Sequence, residues 1–171
     1  MRRLLAVAGL VAVGCADPTP TTVEGAGALS PSLSVGNANA DPIVFNTQLR
    51  AENEPNNAST SESMGYAQVK ILSDNTIEFT VFLNNKADET VTRAHIHKAP
   101  AGANGPIHWD FHEPPADQPV AGDHVRLRGV ARPRPGADPA DLRANPAQYY
   151  VNVHSVLFPG GVVRGHASIR R

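Results

Sequence analysis

Residues 65–84, GYAQVKILSDNTIEFTVFLN, decide the fold class of this chain. Two runs in this stretch, 65–72 and 76–84, place apolar residues at alternate positions, and the polar triplet Ser73-Asp74-Asn75 separates them. Because side chains alternate between the two faces of a strand, this pattern is typical of strands with one buried face. The stretch is therefore predicted to be a β-hairpin.

The rest of the C-terminal three quarters of the chain shows the same kind of pattern. Six further runs are predicted as strands: residues 42–49, 90–97, 107–112, 124–130, 148–155 and 162–169. One short helical turn is predicted at residues 139–144, with Asp138 as N-cap and Pro139 at the first position. Many short strands without a βαβ alternation predict an all-β fold, and we expect an antiparallel β-sandwich over residues 41–171.

The N-terminus carries the signals of export. Met1 and two arginines precede an apolar run, residues 4–13, which has about half the length that would span a bilayer. Residues 1–14 are therefore predicted to be a secretory signal peptide. The sequence that ends this run, Ala12-Val13-Gly14-Cys15, resembles the lipobox of bacterial lipoproteins.

Cys15 is the only cysteine of the chain, so it cannot form an internal disulfide. The lipobox resemblance implies that Cys15 is lipidated and, with Ala16 after it, that the protein goes to the outer membrane of an organism that has one. Residues 15–40 have few charges and no aromatic residue, and they are predicted to be the lipidated cysteine and a flexible tether. The alternative is an ordinary signal peptide with an incidental cysteine.

The charge of the chain limits its partners. It has 15 basic and 16 acidic residues, and removal of residues 1–14 would take away two arginines and no acid. Nucleic-acid binding depends on a basic surface, so we expect no nucleic-acid partner. Membrane attachment is expected through the lipid alone, with an extracytoplasmic protein or ligand of unknown identity as the partner.

Two pairs of segments resemble the CHRD domain, a module of bacterial secreted and lipid-anchored proteins. Residues 94–97 (AHIH) precede 102–106 (GANGP), and residues 149–155 (YYVNVHS) precede 158–165 (FPGGVVRG). Glu54-Pro55 resembles the family's N-terminal signature. The resemblance implies a β-sandwich that binds partners outside the cell, and it supplies no catalytic residue. The motif positions are Glu54, Pro55, Gly102, Asn104, Gly105, Asn152, Pro159, Gly160, Gly161, Arg164 and Gly165.

All seven histidines lie at or after residue 95. His95 and His97 leave the same face of one predicted strand, and His154 lies on the polar face of another. If these strands are neighbours, three imidazoles converge, and such nitrogen ligands suit copper or zinc. His95-Ile96-His97 is also similar to the His-x-His strand of copper–zinc superoxide dismutases, so the sandwich is expected to be immunoglobulin-like or superoxide dismutase-like.

Other roles for these polar residues stay open. The histidines can instead bond to loop carbonyls, brace the loop at 102–105 or face water, and Arg164 can bond to carbonyls of residues 159–161. His108, His112 and His166 lie outside the motif positions and are the better indication of anything particular to this protein.

The leading hypothesis is a lipid-anchored CHRD module that binds or displays at the cell envelope, without catalysis and without a cofactor. No arrangement of Ser, His and acid predicts a catalytic triad, and no glycine-rich phosphate loop is present. The alternative is a copper- or zinc-binding, redox-active β-sandwich that uses His95, His97 and His154. A third hypothesis is a ligand-binding protein in which Trp109, Tyr149 and Tyr150 stack on the ligand.

Overall fold

The structure, a computed structural model, describes residues 41–86 and 89–169. The predicted signal peptide at 1–14 and the predicted lipidated tether at 15–40 lie outside the described residues. Within the described part, no helix has the length and apolarity that crossing a membrane requires.

Residues 41–86 and 89–169 form ten strands and one short α-helix. Their order is β1 Ile43–Arg50, β2 Met64–Ile71, β3 Ile77–Asn84, β4 Val91–Lys98, β5 Ile107–His112, β6 His124–Val130, β7 Arg132–Pro133, α1 Pro139–Ala144, β8 Tyr149–Ser155, β9 Val163–His166 and β10 Ser168–Ile169. The first eight-residue strands match the predicted runs to within one residue. The last predicted strand, residues 162–169, is divided into β9 and β10, because Ala167 between them belongs to neither strand.

All strands pair antiparallel in one nearly closed sheet, in the order β6-β3-β2-β1-β9-β8-β4-β5-β7, with β10 also on β1. The sheet has two well-paired parts. The first is β6-β3-β2-β1, and the second is β9-β8-β4-β5-β7. A single pair of opposed residues, Arg50 and Arg164, joins β1 to β9. The all-β antiparallel prediction is therefore confirmed, and the two layers of the expected sandwich belong to one continuous sheet.

The core lies between the two parts of the sheet. It takes the alternate residues of the opening hairpin, Val69 and Ile71 on β2 and Phe79 and Val81 on β3, as the periodicity predicts. From the other part, Phe111 on β5 stacks on Phe79 with ring centroids 4.1 Å apart. Because both parts bury their apolar faces against each other, the fold has one contiguous core.

The second part of the sheet is buried on both faces. Every residue of β8 from Tyr149 to Ser155 is buried, although only alternate residues face the core. The loop at 99–106 and the turn at 158–161 lie against its outer face, since their carbonyl groups accept hydrogen bonds from side chains of β4 and β8. The polar residues of this outer face therefore lie in a covered layer rather than in water.

The single α-helix begins as predicted. The Asp138 side chain accepts a hydrogen bond from Ala140 N at 2.9 Å, and Pro139 occupies the first helical position. Leu142 is the buried residue of the helix and belongs to the core. The short helical turn near residues 139–144 is confirmed.

Candidate metal centre

Two neighbouring strands bring three of the predicted histidines together. His95 and His97 lie on β4, and His154 lies on β8, which pairs with β4 in antiparallel register. Each of the three rings offers one nitrogen, and these nitrogens all lie within 4.8 Å of one another. The shortest separation joins His95 Nδ1 and His154 Nε2, at 3.3 Å. The three residues are 1–8% exposed.

Loop carbonyl groups determine the tautomers of two rings. His97 Nδ1 donates to the carbonyl oxygen of Gly105 at 3.0 Å. His154 Nδ1 donates to the carbonyl oxygen of Pro159, also at 3.0 Å. A carbonyl oxygen can only accept, so Nδ1 of each ring carries the hydrogen. In the neutral imidazoles Nε2 is therefore the nitrogen with a free lone pair.

A carboxylate determines the tautomer of the third ring. His95 Nε2 lies 2.5 Å from Glu113 Oε2, so Nε2 donates to the carboxylate and Nδ1 carries the lone pair. When all three rings are neutral, His95 Nδ1 and His154 Nε2, which lie 3.3 Å apart, therefore turn two lone pairs toward each other. His97 Nε2 is buried and has no hydrogen-bond partner among the described residues. Glu113, Gly105 and Pro159 each accept a hydrogen bond from one ring, and the second nitrogen of each ring therefore faces the other two rings. A cation bound by all three of these nitrogens would stabilise this arrangement.

Burial disfavours the protonated form of all three rings. It lowers the pKa of His95 to about 3 and that of His154 to about 4, and it also lowers the pKa of His97. At His95 the neighbouring imidazole of His97 lowers the pKa further, whereas the Asp110 carboxylate raises it. Near neutral pH the lowered pKa values therefore disfavour protonation of the three facing nitrogens. Neutral imidazole is also the form of histidine that binds a metal ion.

A second group of possible ligands shares His95 but is already engaged by arginines. It consists of His95, Asp110 and Glu113. Arg134 Nε lies 2.7 Å from Asp110 Oδ1, and Arg93 Nε lies 3.5 Å from Glu113 Oε1. This acidic cluster is therefore an ion-pair network that orients the outer nitrogen of His95.

The sequence did not predict the participation of Asp110 and Glu113. In the β4–β5 pairing the register shifts between Ala94 and His95 and again between Ile96 and His97, and His95 consequently lies opposite Asp110 rather than opposite Phe111, where an unshifted continuation from the Ala94–His112 pair would place it. Such bulges depend on the partner strand. Glu113 follows β5 in a proline-rich loop, where no periodic pattern indicates the direction of its side chain.

The aromatic residues predicted to stack on a ligand are instead part of the interior. Trp109, Tyr149 and Tyr150 are each 1–2% exposed, so the prediction of an accessible stacking surface is wrong. Tyr150 stacks on His97 with centroids 4.9 Å apart, and its hydroxyl oxygen accepts a hydrogen bond from Gly105 N. It therefore fixes the plane of a candidate ligand ring.

Arg164 links two loops over this layer. It is fully buried, donates through Nε to the carbonyl oxygen of Asn53 at 2.7 Å, and donates through Nη1 to the carbonyl oxygen of Ala103 at 3.1 Å. Nη1 also lies 3.2 Å from Asn104 Oδ1. Arg164 does bond to loop carbonyls, but they belong to Asn53 and Ala103 and not to residues 159–161, which the sequence had offered as one alternative.

Glu54 is buried against the turn at the end of β8. It is 3% exposed, and a Cβ placed on Gly161 would lie 2.6 Å from its Oε1 and 2.8 Å from Asn152 Nδ2. Burial raises the pKa of Glu54 to about 7, while the Arg164 guanidinium opposes this rise. Asn152, opposite His95 in the β4–β8 pairing, is also buried.

The remaining motif residues shape the backbone around the site. A Cβ at Gly105 would lie 1.9 Å from the Lys98 carbonyl oxygen, and one at Gly165 would lie 2.1 Å from that of Gln48, so both positions require glycine. Pro55 begins a short 3₁₀ turn. The loops themselves hold Gly102, Asn104, Pro159 and Gly160.

The other histidines do not join the cluster. His108 packs beside Trp109 and Tyr149, with ring centroids 5.7 Å away in both cases. His166 Nε2 bonds to the carbonyl oxygen of Ala99 at 3.1 Å. His112 is buried at the end of β5 and His124 is exposed on β6. Residues outside the family motifs therefore supply no further imidazole to the site among the described residues.

Comparison with known protein families identifies the class of this protein. The chain matches the CHRD domain over residues 45–167, more than half of its length, and it belongs to that family. The family predicted from the motifs is confirmed. No curated protein and no solved structure matches the chain. The resemblances to the lipobox and to copper–zinc superoxide dismutases stay predictions.

Proposed function

We propose that this protein is an exported CHRD module that binds a copper or zinc ion through His95, His97 and His154. One observation carries the proposal. Two imidazole nitrogens whose partners make them both acceptors lie 3.3 Å apart, and a third acceptor nitrogen lies within 4.8 Å of them. Neutral imidazoles are ligands of zinc and copper, and small ring adjustments bring nitrogens at this spacing to metal–nitrogen lengths of about 2.0–2.1 Å.

The surroundings of the three rings support this function. Metal-binding imidazoles usually donate their second nitrogen to a carbonyl or carboxylate, which orients the ring and raises its basicity. Gly105, Pro159 and Glu113 supply these three acceptors. The alternative in which the histidines only brace the loops accounts for the outer nitrogens, but it leaves the facing lone pairs without a partner.

We propose that the protein acts by binding and not by catalysis. Ser155 is adjacent to His154, but its hydroxyl donates to Glu89 Oε2 at 2.5 Å and so does not meet the imidazole. Glu89 also accepts from Ser61 Oγ, which engages its second carboxylate oxygen. This buried carboxylate ties loops together and does not activate a nucleophile.

Metal titration tests the proposal. The full-length protein, purified without a polyhistidine tag, is titrated with Zn(II) and Cu(II) by calorimetry, and His97→Gln is titrated in parallel. We expect one ion per chain and at least a 10-fold loss of affinity in the variant, since one of three ligands is removed. Absence of binding of Zn(II), Cu(II) and Cu(I) alike by the unsubstituted protein would contradict the proposal, as would equal affinity in His97→Gln.

His124→Gln is the matched control. His124 is exposed on β6, in the other part of the sheet, so its replacement removes an imidazole without touching the cluster. We expect its affinity to equal that of the unsubstituted protein. Melting curves of both variants check that the fold is retained.

We further propose that a lipid on Cys15 holds the module at the cell envelope, at the outer membrane where the organism has one. The support is the apolar segment at 4–13 and the lipobox-like residues at 12–15. Cell fractionation of a Cys15→Ser variant tests the anchor. We expect the variant to leave the membrane fraction, and its retention there would contradict lipidation at Cys15.

A further inference from the structure

We infer that the three-histidine site selects monovalent copper, Cu(I), over divalent ions. The inference rests on the proposed metal-binding function and specifies the ion. It follows from three properties of the site: the charge of the ligands, the charges around them and the burial of the cluster.

The ligands themselves bring no negative charge. The converging atoms are His95 Nδ1, His97 Nε2 and His154 Nε2, all of them neutral nitrogens. The nearest carboxylates lie at the opposite nitrogen of His95, where Glu113 Oε2 is 2.5 Å and Asp110 Oδ1 is 3.8 Å from Nε2. These three ligands therefore neutralise none of the formal charge of a bound ion.

Arginines offset those carboxylates. Arg134 Nε lies 2.7 Å from Asp110 Oδ1, and Arg134 Nη2 lies 3.6 Å from Glu113 Oε2. Arg93 Nε lies 3.5 Å from Glu113 Oε1. Two acids next to His95 are thus matched by two guanidinium groups, which leaves little net negative potential at the site.

A third arginine adds positive charge from the other side. The guanidinium carbon of Arg164 lies 4.4 Å from the centroid of the Tyr150 ring, which in turn stacks on His97 at 4.9 Å. Arg164 forms no salt bridge within the described residues, and it is fully buried. Its charge is therefore little screened by water. The neighbouring Glu54 carboxyl offsets part of this charge, and the remainder disfavours each additional positive charge on a bound ion.

Burial adds to the same preference. The three imidazoles are 1–8% exposed, so an ion among them loses most of its hydration. The Born cost of that loss grows with the square of the charge and is roughly four times larger for a divalent than for a monovalent ion of equal size. Anionic ligands, carboxylate or thiolate, offset this cost at many sites for divalent ions, and this ligand set contains none. Copper is the imidazole-binding metal that has a stable monovalent state.

Competition titrations measure the preference. The untagged full-length protein competes anaerobically with bicinchoninate for Cu(I) in the presence of ascorbate. In separate experiments without reductant it competes with chelators for Cu(II) and Zn(II), and Ag(I) serves as a monovalent probe that needs no reductant. We expect Cu(I) to bind at least 100-fold more tightly than Cu(II) or Zn(II), and Ag(I) to displace Zn(II).

The outcomes separate this inference from the proposed function. If none of the ions binds, both fail. If Zn(II) or Cu(II) binds as tightly as Cu(I), the metal site stands and the selectivity for the monovalent ion is wrong.

Arg93→Gln tests the electrostatic cause. The Arg93 side chain is 53% exposed, so the fold tolerates its replacement. Removal of this charge should strengthen Cu(II) and Zn(II) binding more than Cu(I) binding and narrow the ratio about 2- to 10-fold. Arg126→Gln, at an exposed position on β6, is the matched control and should leave the ratio unchanged. An unchanged ratio in Arg93→Gln would overturn the electrostatic explanation.

Discussion

At the scale of single residues, the CHRD motifs place buried polar groups where water cannot reach them. Glu54 and Arg164 are both buried, yet the hydrogen bonds of Arg164 go to Asn53, Ala103 and Asn104 and not to Glu54. Arg164 uses its donors on loop carbonyls, and Glu54 packs on the backbone of Gly161. The motif residues therefore hold loops in place, and the same loops orient the imidazoles.

The first prediction concerns the pH dependence of stability. Burial raises the pKa of Glu54 from 4.5 to about 7, so the folded state binds this proton more tightly than the unfolded chain does. The resulting stability is complete below about pH 4.5 and is lost as the pH rises through 7. Glu54→Gln cannot ionise, and we expect it to gain about 1–3 kcal/mol relative to the unsubstituted protein between pH 5 and pH 8.

Urea unfolding at pH 5, 6, 7 and 8 measures this difference. Glu62→Gln, at an exposed position, is the control for the loss of one carboxylate. If the free energies of unfolding of Glu54→Gln and of the unsubstituted protein differed by the same amount at every pH, ionisation of Glu54 would not destabilise the folded state and the prediction would be wrong.

The second prediction compares two adjacent glycines. Gly161 has φ +139°, and a Cβ there would lie 2.6 Å from the Glu54 carboxylate, whereas a Cβ at Gly160 would meet no atom within 4 Å. Gly161→Ala should therefore lower the free energy of unfolding by about 1–3 kcal/mol or more. Gly160→Ala should change it by less than about 1 kcal/mol. Equal effects in thermal unfolding would contradict this account of the turn.

At the scale of elements, β4 and β8 supply the histidines and two loops determine which nitrogens face each other. The carbonyl groups of Gly105 and Pro159 accept hydrogen bonds from His97 and His154. An ion bound by Nε2 of His97 and Nε2 of His154 would restrict the motion of the same two rings whose Nδ1 atoms bond to the loops. Binding at the site and order in the loops at 99–106 and 158–161 are therefore expected to be coupled.

The third prediction follows from this coupling. Addition of one equivalent of copper or zinc should slow amide hydrogen exchange in the loops at 99–106 and 158–161, because bound rings hold the carbonyl groups more firmly. The β2–β3 turn at residues 72–76 is the internal control and should exchange at the same rate with and without metal. Slowing that extends equally to this turn would indicate a global effect and not a local coupling.

At the scale of the whole molecule, the two parts of the sheet share few hydrogen bonds and are held together by their common core. β1 and β9 are joined by one residue pair, Arg50 and Arg164. Phe79 and Phe111 meet across the core with an interplanar angle of 5°. Packing between the two parts, more than hydrogen bonding at their junction, therefore holds the strands that carry His95, His97 and His154 against the rest of the fold.

The fourth prediction tests this packing. Phe111→Ala should lower the free energy of unfolding by about 3–5 kcal/mol, because it leaves a cavity between the two parts. Phe82→Ala, on the outer face of β3 and only partly buried, is the matched control with a smaller expected loss. Denaturant unfolding by fluorescence measures both. A cost at Phe111 no larger than that at Phe82 would show that the parts do not depend on this contact.

Much of the fold could be predicted because its signals are local. The alternation in 65–84 comes from the two-residue repeat of a strand, and the helical turn at 139–144 comes from the Asp138-Pro139 pair. The sequence also placed His95 and His97 on one face of β4. These properties depend on neighbours within a few residues, so no knowledge of the partner strands was needed.

Local patterns in the sequence were therefore sufficient to predict the longer strands, the alternation of their two faces, the short helix and the CHRD family. Tertiary packing brings His154 within 3.3 Å of His95, places loops over the outer face and pairs the His95 ring with Glu113, and none of these contacts could be predicted from the sequence. His95 and His154 are 59 positions apart, and their meeting depends on strand order, on bulges and on loop cover. The physical reason is that periodicity encodes which side of a strand is buried, whereas strand pairing and loop packing depend on contacts between distant residues.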